Sequence, residues 1–294
     1  MNVDLSVVIV EYNVSEYLEN CLRSVFAAAA RLSSIEVFVV DNCSADNSCD
    51  MVRNLFPSVI LIENSENIGF AKANNIALKR AAGRYVLILN PDTLVPENCF
   101  IELCSFMDTR ADAGAAGVRL VLGNGCYLPE SKRGIPYPVT AFFKIIGLSA
   151  LFPESKFFAR YYLGHLDDWQ INNIEILPGA FMFVRKSALD KAGLFDEDYF
   201  MYGEDIDLSF RILKSGLNIV YYPLITVIHF KGRSTVKVSR NYVNLFYSSM
   251  LIFARKHLCR YRFGLLNLVV TVAVYFRAFI SLCGVFFTKI FRRA

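Results

Sequence analysis

Residues 5–42 read LSVVIVEYNVSEYLENCLRSVFAAAARLSSIEVFVVDN. Leu5 to Val10 is a short, unbroken run rich in β-branched residues, the pattern of a strand buried on both faces. After it, Leu18, Cys21, Leu22, Val25, Phe26 and Ala29 recur at helical spacing, with Ser15 as the expected N-cap. Ile35 to Val40 is a second buried strand and ends in Asp41-Asn42.

The same alternation continues outward. A helix is expected over 45–56, a strand over 59–62, a helix over 70–82 closed by Gly83, and a strand over 85–89 ending in Asn90-Pro91-Asp92. Repeated βα units of this length predict an α/β domain with a parallel sheet, helices on both faces and right-handed crossovers. Asn13, Asp41, Asn67 and Asp92 all fall at or just after strand carboxyl ends, where open α/β sheets bind ligands. A nucleotide-type site is therefore expected across residues 1–95. Beyond it the pattern is less regular. Strands are expected over 115–122, 219–222 and 226–230, with strand character again over 174–184. Short helices are expected over 186–193 and 205–215, and residues 130–175 read as irregular or partly helical cover.

Charge divides the chain. All 27 carboxylate side chains lie at or before Asp207, against 17 Lys and Arg there; the last 87 residues hold 14 Lys and Arg and no acid. A basic, acid-free tail rich in Phe, Leu and Val suits an anionic membrane surface better than nucleic acid. No helix-turn-helix, zinc-finger or RNP-type signature supports nucleic-acid binding. The mean hydropathy of +0.37 likewise points to membrane contact. Residues 264–288 carry a single charge, Arg277. That length spans a bilayer, but a central Arg is costly there. A helix lying in the interface, a spanning helix and a buried helix all remain open. The eight cysteines include no CxxC pair, so reduced thiols in a cytoplasmic protein are expected. The opening Met-Asn-Val-Asp-Leu runs straight into a strand without a basic region, so no signal peptide is expected.

Five motifs occur in order: SVVIVEYNVSEYLENCLRSV, VFVVDNCSADNS, NIGFAKANN, ILNPDT, and PGAFMFVRKSALDKAGLFDEDYFMYGEDIDLSFRI followed by VIHF. Together they resemble the family 2 glycosyltransferases, inverting sugar-nucleotide enzymes of the GT-A fold, and most of all its rhamnosyltransferase-type members. The resemblance implies a GT-A-type Rossmann-like, mostly parallel sheet flanked by helices over 1–240. Residues 1–95 would be the nucleotide half and 96–240 the acceptor half. Residues 241–294 would form a helical membrane-associating tail.

Such a reaction must neutralise a leaving diphosphate and deprotonate an acceptor hydroxyl. By resemblance, Asp92 is the metal-binding acid, for Mg²⁺ or Mn²⁺, with Asn90 where relatives often carry a first acid. Asn-Pro-Asp is otherwise ordinary turn chemistry. Asp41 resembles the residue that accepts from a pyrimidine imide, making uracil or thymine the expected base; capping its own loop is the alternative. Tyr12 and Asn13 would touch the nucleotide, while Glu11 departs from the small or amide residue common in relatives. Gly69, Lys72 and Asn75 would lie near the donor, with Gly69 allowing close approach and Lys72 facing a phosphate or solvent. Gly179-Ala180 resembles the acceptor-side segment.

In Gly203-Glu204-Asp205-Ile206-Asp207, three carboxylates in four positions are costly unless they serve a cation or a proton transfer. The resemblance makes Asp205 the general base, Glu204 its helper, and Asp207 the partner of Arg211. His229 would lie near the diphosphate and metal, or serve as a core histidine; Lys231 to Ser234 would form a basic loop over the diphosphate.

The expected activity is inverting, metal-dependent transfer from a nucleotide-diphosphate sugar (dTDP or UDP) to a lipid-linked glycan acceptor. The expected place is the cytoplasmic face of the cell membrane. A catalytically silent scaffold subunit is the alternative, and a homo-oligomer remains open.

Overall fold

The computed structural model describes residues 3–231, 240–258 and 264–291. The first half alternates strand and helix: β1 (Leu5–Glu11), α1 (Ser15–Ala29), β2 (Ile35–Asp41), α2 (Ser48–Leu55), β3 (Ile60–Glu63), α3 (Phe70–Leu78) and β4 (Tyr85–Leu89). Then come β5 (Thr93–Leu94), α4 (Cys99–Thr109), β6 (Ala113–Val121), α5 (Pro138–Ile145), α6 (Leu148–Leu151) and β7 (Asn172–Ile174). The chain continues through β8 (Phe181–Arg185), α7 (Lys186–Ala192), α8 (Glu204–Lys214), β9 (Asn218–His229), α9 (Arg240–Phe253) and α10 (Leu265–Phe291).

All nine strands join one sheet in the order β3-β2-β1-β4-β8-β6-β9-β5, with β7 against β9. Every residue of β1 is buried, as its unbroken apolar run requires. Val7 and Ile9 pack under α1 and α4, while Val8 and Val10 pack under α3 and α8, so the period-two pleat builds a core on each face.

The sheet is not mostly parallel. Pairs β1–β2, β1–β4, β2–β3 and β6–β9 are parallel, and β4–β8, β5–β9, β6–β8 and β7–β9 are antiparallel. Residues 5–89 keep the βα alternation, whereas β8 runs back beside β4 with Phe181 opposite Leu89. That direction carries Gly179-Ala180 to the carboxyl ends of the parallel strands, where Asn90 N–H donates to the Ala180 carbonyl at 3.0 Å.

Local expectations shift in three places. The two strands expected over 219–230 are one, β9, and its register against β6 jumps where Pro223 leaves the ladder. Ser15 is the first helical residue rather than the cap; its N–H donates to Asp46 at 3.0 Å, so a neighbouring loop satisfies the helix end. Helix α4 was not expected. Cys21, Cys43, Cys49, Cys99, Cys104 and Cys126 are all free thiols.

The tail is tied to the domain. Ser249 Oγ donates to the Met201 carbonyl at 3.1 Å, and Lys256 pairs with Asp196 and Asp198. His257 Nε2 lies 2.6 Å from Asp207 Oδ1, while Arg211 Nε donates to the other oxygen of that fully buried carboxylate at 2.7 Å. Lys256, one of the basic residues of the tail, is therefore engaged by the rest of the chain; Arg260 and Arg262 of the same tail lie outside the described residues. Among the described residues, no helix is both long and apolar enough to cross a membrane.

Removing one partner of a buried ion pair leaves the others uncompensated. Asp207→Asn should therefore cost about 2–3 kcal/mol of stability, more than His257→Gln. Urea unfolding of the two variants in detergent measures the difference.

Candidate active site

A cavity of about 900 Å³ opens at the carboxyl ends of β1 and β4, within the size range of small-molecule sites. Tyr12 and Asn90 line it from the nucleotide half, and Gly179, Glu204, Asp205 and His229 from the other.

Antiparallel pairing of β5 with β9 sets Thr93 opposite His229, and Phe230 N–H donates to the Asp92 carbonyl at 2.8 Å. This holds His229 Nε2 3.2 Å from Asp92 Oδ1. The contact lacks hydrogen-bond alignment, so Asp92 Oδ1 is a buried oxygen without a hydrogen bond. An orphaned carboxylate oxygen beside an imidazole nitrogen, at the rim of a cavity, is a donor set that fits a divalent cation. Asp92 and His229 would hold it.

Across the cavity, the turn before α8 takes left-handed backbone at Tyr202 (φ 70°) and Gly203 (φ 84°). It delivers Glu204 and Asp205 at the helix start. Asp205 Oδ1 accepts the Ile206 N–H at 2.8 Å; Oδ2 accepts the Gly179 N–H at 3.1 Å and Arg133 Nη2 at 2.5 Å. Glu204 is buried, and one of its oxygens has no hydrogen bond. Burial, with the Asp205 charge second, pushes Glu204 up to about 8, so it stays protonated at neutral pH. Two neighbouring carboxyls thus differ: one neutral, one gripped by a guanidinium.

Several residues expected near the donor make contacts within the protein. Asn75 is buried and clamps the loop before α8: its amide donates to the Phe195 carbonyl at 2.8 Å and Glu197 at 2.9 Å, and its oxygen accepts the Phe195 N–H. Gly69 (φ 86°) allows a close approach of the Phe200 carbonyl, 2.5 Å from where a Cβ would sit. Lys72 is an exposed helix lysine. Asn13, also left-handed, braces the loop after β2 by accepting the Ala45 N–H at 2.7 Å. Asp41 is buried and caps that loop, accepting from the Cys43 and Ser44 N–H groups. Its neighbour Asn42 lines the cavity. Sequence reading missed Arg133 and His257. Each stands far along the chain from its carboxylate, in a stretch without a motif.

The family model for glycosyl transferase family 2 matches residues 6–193. The chain belongs to glycosyl transferase family 2. It is 29% identical over 260 residues to the N-acetylglucosaminyl-diphospho-decaprenol L-rhamnosyltransferase of Mycobacterium tuberculosis, covering 85% of this chain and 83% of that one. The rhamnosyltransferase WbbL of Escherichia coli is 25% identical over 175 residues, 55% of this chain and 61% of that protein. Among solved structures, the mannosyltransferase PcManGT of Pyrobaculum calidifontis, in complex with GDP-Man and Mn²⁺, superposes with a TM-score of 0.58 at 20% identity. The match covers 97% of this chain and 73% of that one. S. aureus TarS with UDP gives 0.55 at 18% identity, covering 84% of this chain and 65% of that one. These likenesses show the same fold.

This family 2 enzyme carries one departure beside Asp41. Glu11 is almost fully buried and accepts from Ser44 Oγ at 3.0 Å. Glu11, Asp41 and Cys49 offer ligand atoms within 4.8 Å of one another. Burial, then Asp41, pushes Glu11 up to about 9, and burial with the same carboxylate pushes the Cys49 thiol up to about 12. For Asp41, burial alone would raise the pKa, but hydrogen bonds from Glu11 and Ser44 outweigh it and hold Asp41 low.

The fold therefore retains a proton on Glu11 that the unfolded chain releases between about pH 4.5 and about 9. Stability falls as pH rises through that window. Glu11→Gln keeps a donor toward Asp41 and removes the titration, so its melting temperature should drop less than that of the unaltered enzyme between pH 6 and 9. Thermal unfolding across a pH series reads this directly.

Proposed function

We propose that this glycosyltransferase transfers a sugar, with inversion and with a divalent cation, from a dTDP- or UDP-linked donor to a polyprenyl-diphosphate-linked glycan. L-rhamnose is the first sugar to test. The reaction would serve cell-surface polysaccharide synthesis at the cytoplasmic face of the membrane. The observation that carries this reading is that Asp205 and Glu204 face one cavity together with His229, whose ring sits against Asp92. The mycobacterial relative's name supplies the sugar and the acceptor class. Membrane placement is supported by exposed apolar side chains on α10 (Leu268, Val272, Phe276) and on α5 and α6 (Val139, Phe142, Leu151).

In the reaction, an acceptor hydroxyl oxygen attacks the anomeric carbon from the side opposite the diphosphate. The new carbon–oxygen bond forms as the bond to the diphosphate oxygen breaks, and the electron pair leaves with the diphosphate. Asp205 receives the hydroxyl proton. The Gly179 N–H and Arg133 fix its carboxylate toward the cavity. Protonated Glu204 spares the helix start a second adjacent negative charge. A Mg²⁺ or Mn²⁺ ion held by Asp92 and His229 would neutralise charge on the departing diphosphate.

Asp205→Asn should lower transfer about 100-fold or more while keeping the donor-induced rise in melting temperature. Asp92→Asn should instead lose the Mn²⁺-dependent part of the shift given by dTDP or UDP. Purified protein in detergent, a nucleotide diphosphate panel and a lipid-linked acceptor suffice. An Asp205→Asn variant with full turnover removes the base assignment, and no nucleotide shift in folded protein removes the donor reading.

A further inference from the structure

The cavity continues past Asp205 to walls formed by α5, α9 and α10, where Phe142, Met250 and Val274 line it. Among the described residues, four cations border it: Arg133, Lys144, Lys231 and Arg277. Two are matched, Arg133 by Asp205 and Lys231 by Glu130. The other two are not.

Lys144 has only neutral partners. Its ammonium donates to the Tyr162 hydroxyl at 2.8 Å and lies over the rings of Tyr161, at 3.9 Å, and Tyr162, at 4.4 Å. Desolvation of its tip, with Arg133 and Lys231 adding to the effect against Glu130, draws it down to about 8. Arg277 is half-buried on α10 between apolar neighbours, and among the described residues it has no ion pair. A guanidinium held in an apolar helix without a counter-charge is costly, and the cost falls away when a ligand supplies the anion.

Two unmatched cations beside apolar walls suit an amphiphile whose charge sits between a sugar and a hydrocarbon chain. Inorganic phosphate would not use the walls, and a neutral glycoside would not use the cations. The donor diphosphate belongs at the strand ends, near Asp92.

We propose that Lys144 and Arg277 bind the diphosphate of the lipid-linked acceptor, with its prenyl chain lying along the walls formed by α5, α9 and α10. The proposal rests on the function above, since it locates the acceptor of that reaction.

Farnesyl diphosphate is a probe that needs neither turnover nor a known sugar. Titrated into the full chain in non-ionic detergent, it should bind at least about tenfold more tightly than farnesol or inorganic diphosphate. Lys144→Met and Arg277→Met should each weaken it about tenfold, and Arg277→Lys should recover part of the loss. The nucleotide-induced thermal shift, measured on the same variants, reports that the donor half is still folded. In turnover, the preference for a prenyl-diphosphate N-acetylglucosamine over an octyl N-acetylglucosaminide should shrink in both variants. Unchanged farnesyl diphosphate binding in both variants overturns the proposal. So does a variant-dependent loss that appears only with phosphatidylglycerol vesicles, which would make these cations contacts for bilayer headgroups. Farnesyl diphosphate binding that depends on both residues, in an enzyme that transfers to no lipid-linked acceptor, would keep the site and overturn the function instead.

Discussion

The site depends on β8 running opposite to β4. With Phe181 paired to Leu89, the segment before β8 must lie where the parallel strands end. Gly179 then presents its N–H to Asp205, and Ala180 takes the Asn90 N–H. A parallel β8 would place the same segment at the opposite edge of the sheet, far from the nucleotide half. The second reversal, β5 against β9, acts likewise on Asp92 and His229, residues more than a hundred positions apart. Two antiparallel pairings thus assemble from distant segments what a purely parallel sheet would keep apart.

The nucleotide half was legible because its signals are local. Continuous β-branched runs mark strands buried on both faces, and each is followed by an apolar helical stripe. The antiparallel half was not, because its strand directions are set by long connections whose sequences carry no direction signal. The site divides along the same line. Asp92, Glu204, Asp205 and His229 sit in motifs and could be named, and all four stand at or beside one cavity. Arg133 and His257 act on carboxylates 72 and 50 residues away, and nothing in their own neighbourhoods announces the partner. Asn75 and Gly69 also pack against the Phe195–Phe200 loop, a constraint on their residue types that their own motif does not announce.

Electrostatics here works by pairing unlike protonation states. Glu11 beside Asp41 and Glu204 beside Asp205 each place a buried, neutral acid next to a carboxylate. In both, a neighbouring negative charge adds to desolvation, so one proton is retained where two charges would repel. The carboxylate member is then free to be shaped by its own hydrogen bonds, loop N–H groups for Asp41 and the Gly179 N–H with Arg133 for Asp205.

The clip between His257 and Asp207 bears on how this chain can be divided. Asp207 lies two residues along α8 from Asp205, and its fully buried carboxylate is contacted from the domain side by Arg211 and from the tail side by His257. A shorter polypeptide ending before Arg240 would keep every residue of the catalytic motifs. It would nonetheless open the underside of α8 to water and leave Asp207 half-satisfied. Cutting the chain at the edge of its motifs would therefore also cut a contact on which a buried carboxylate of α8 relies.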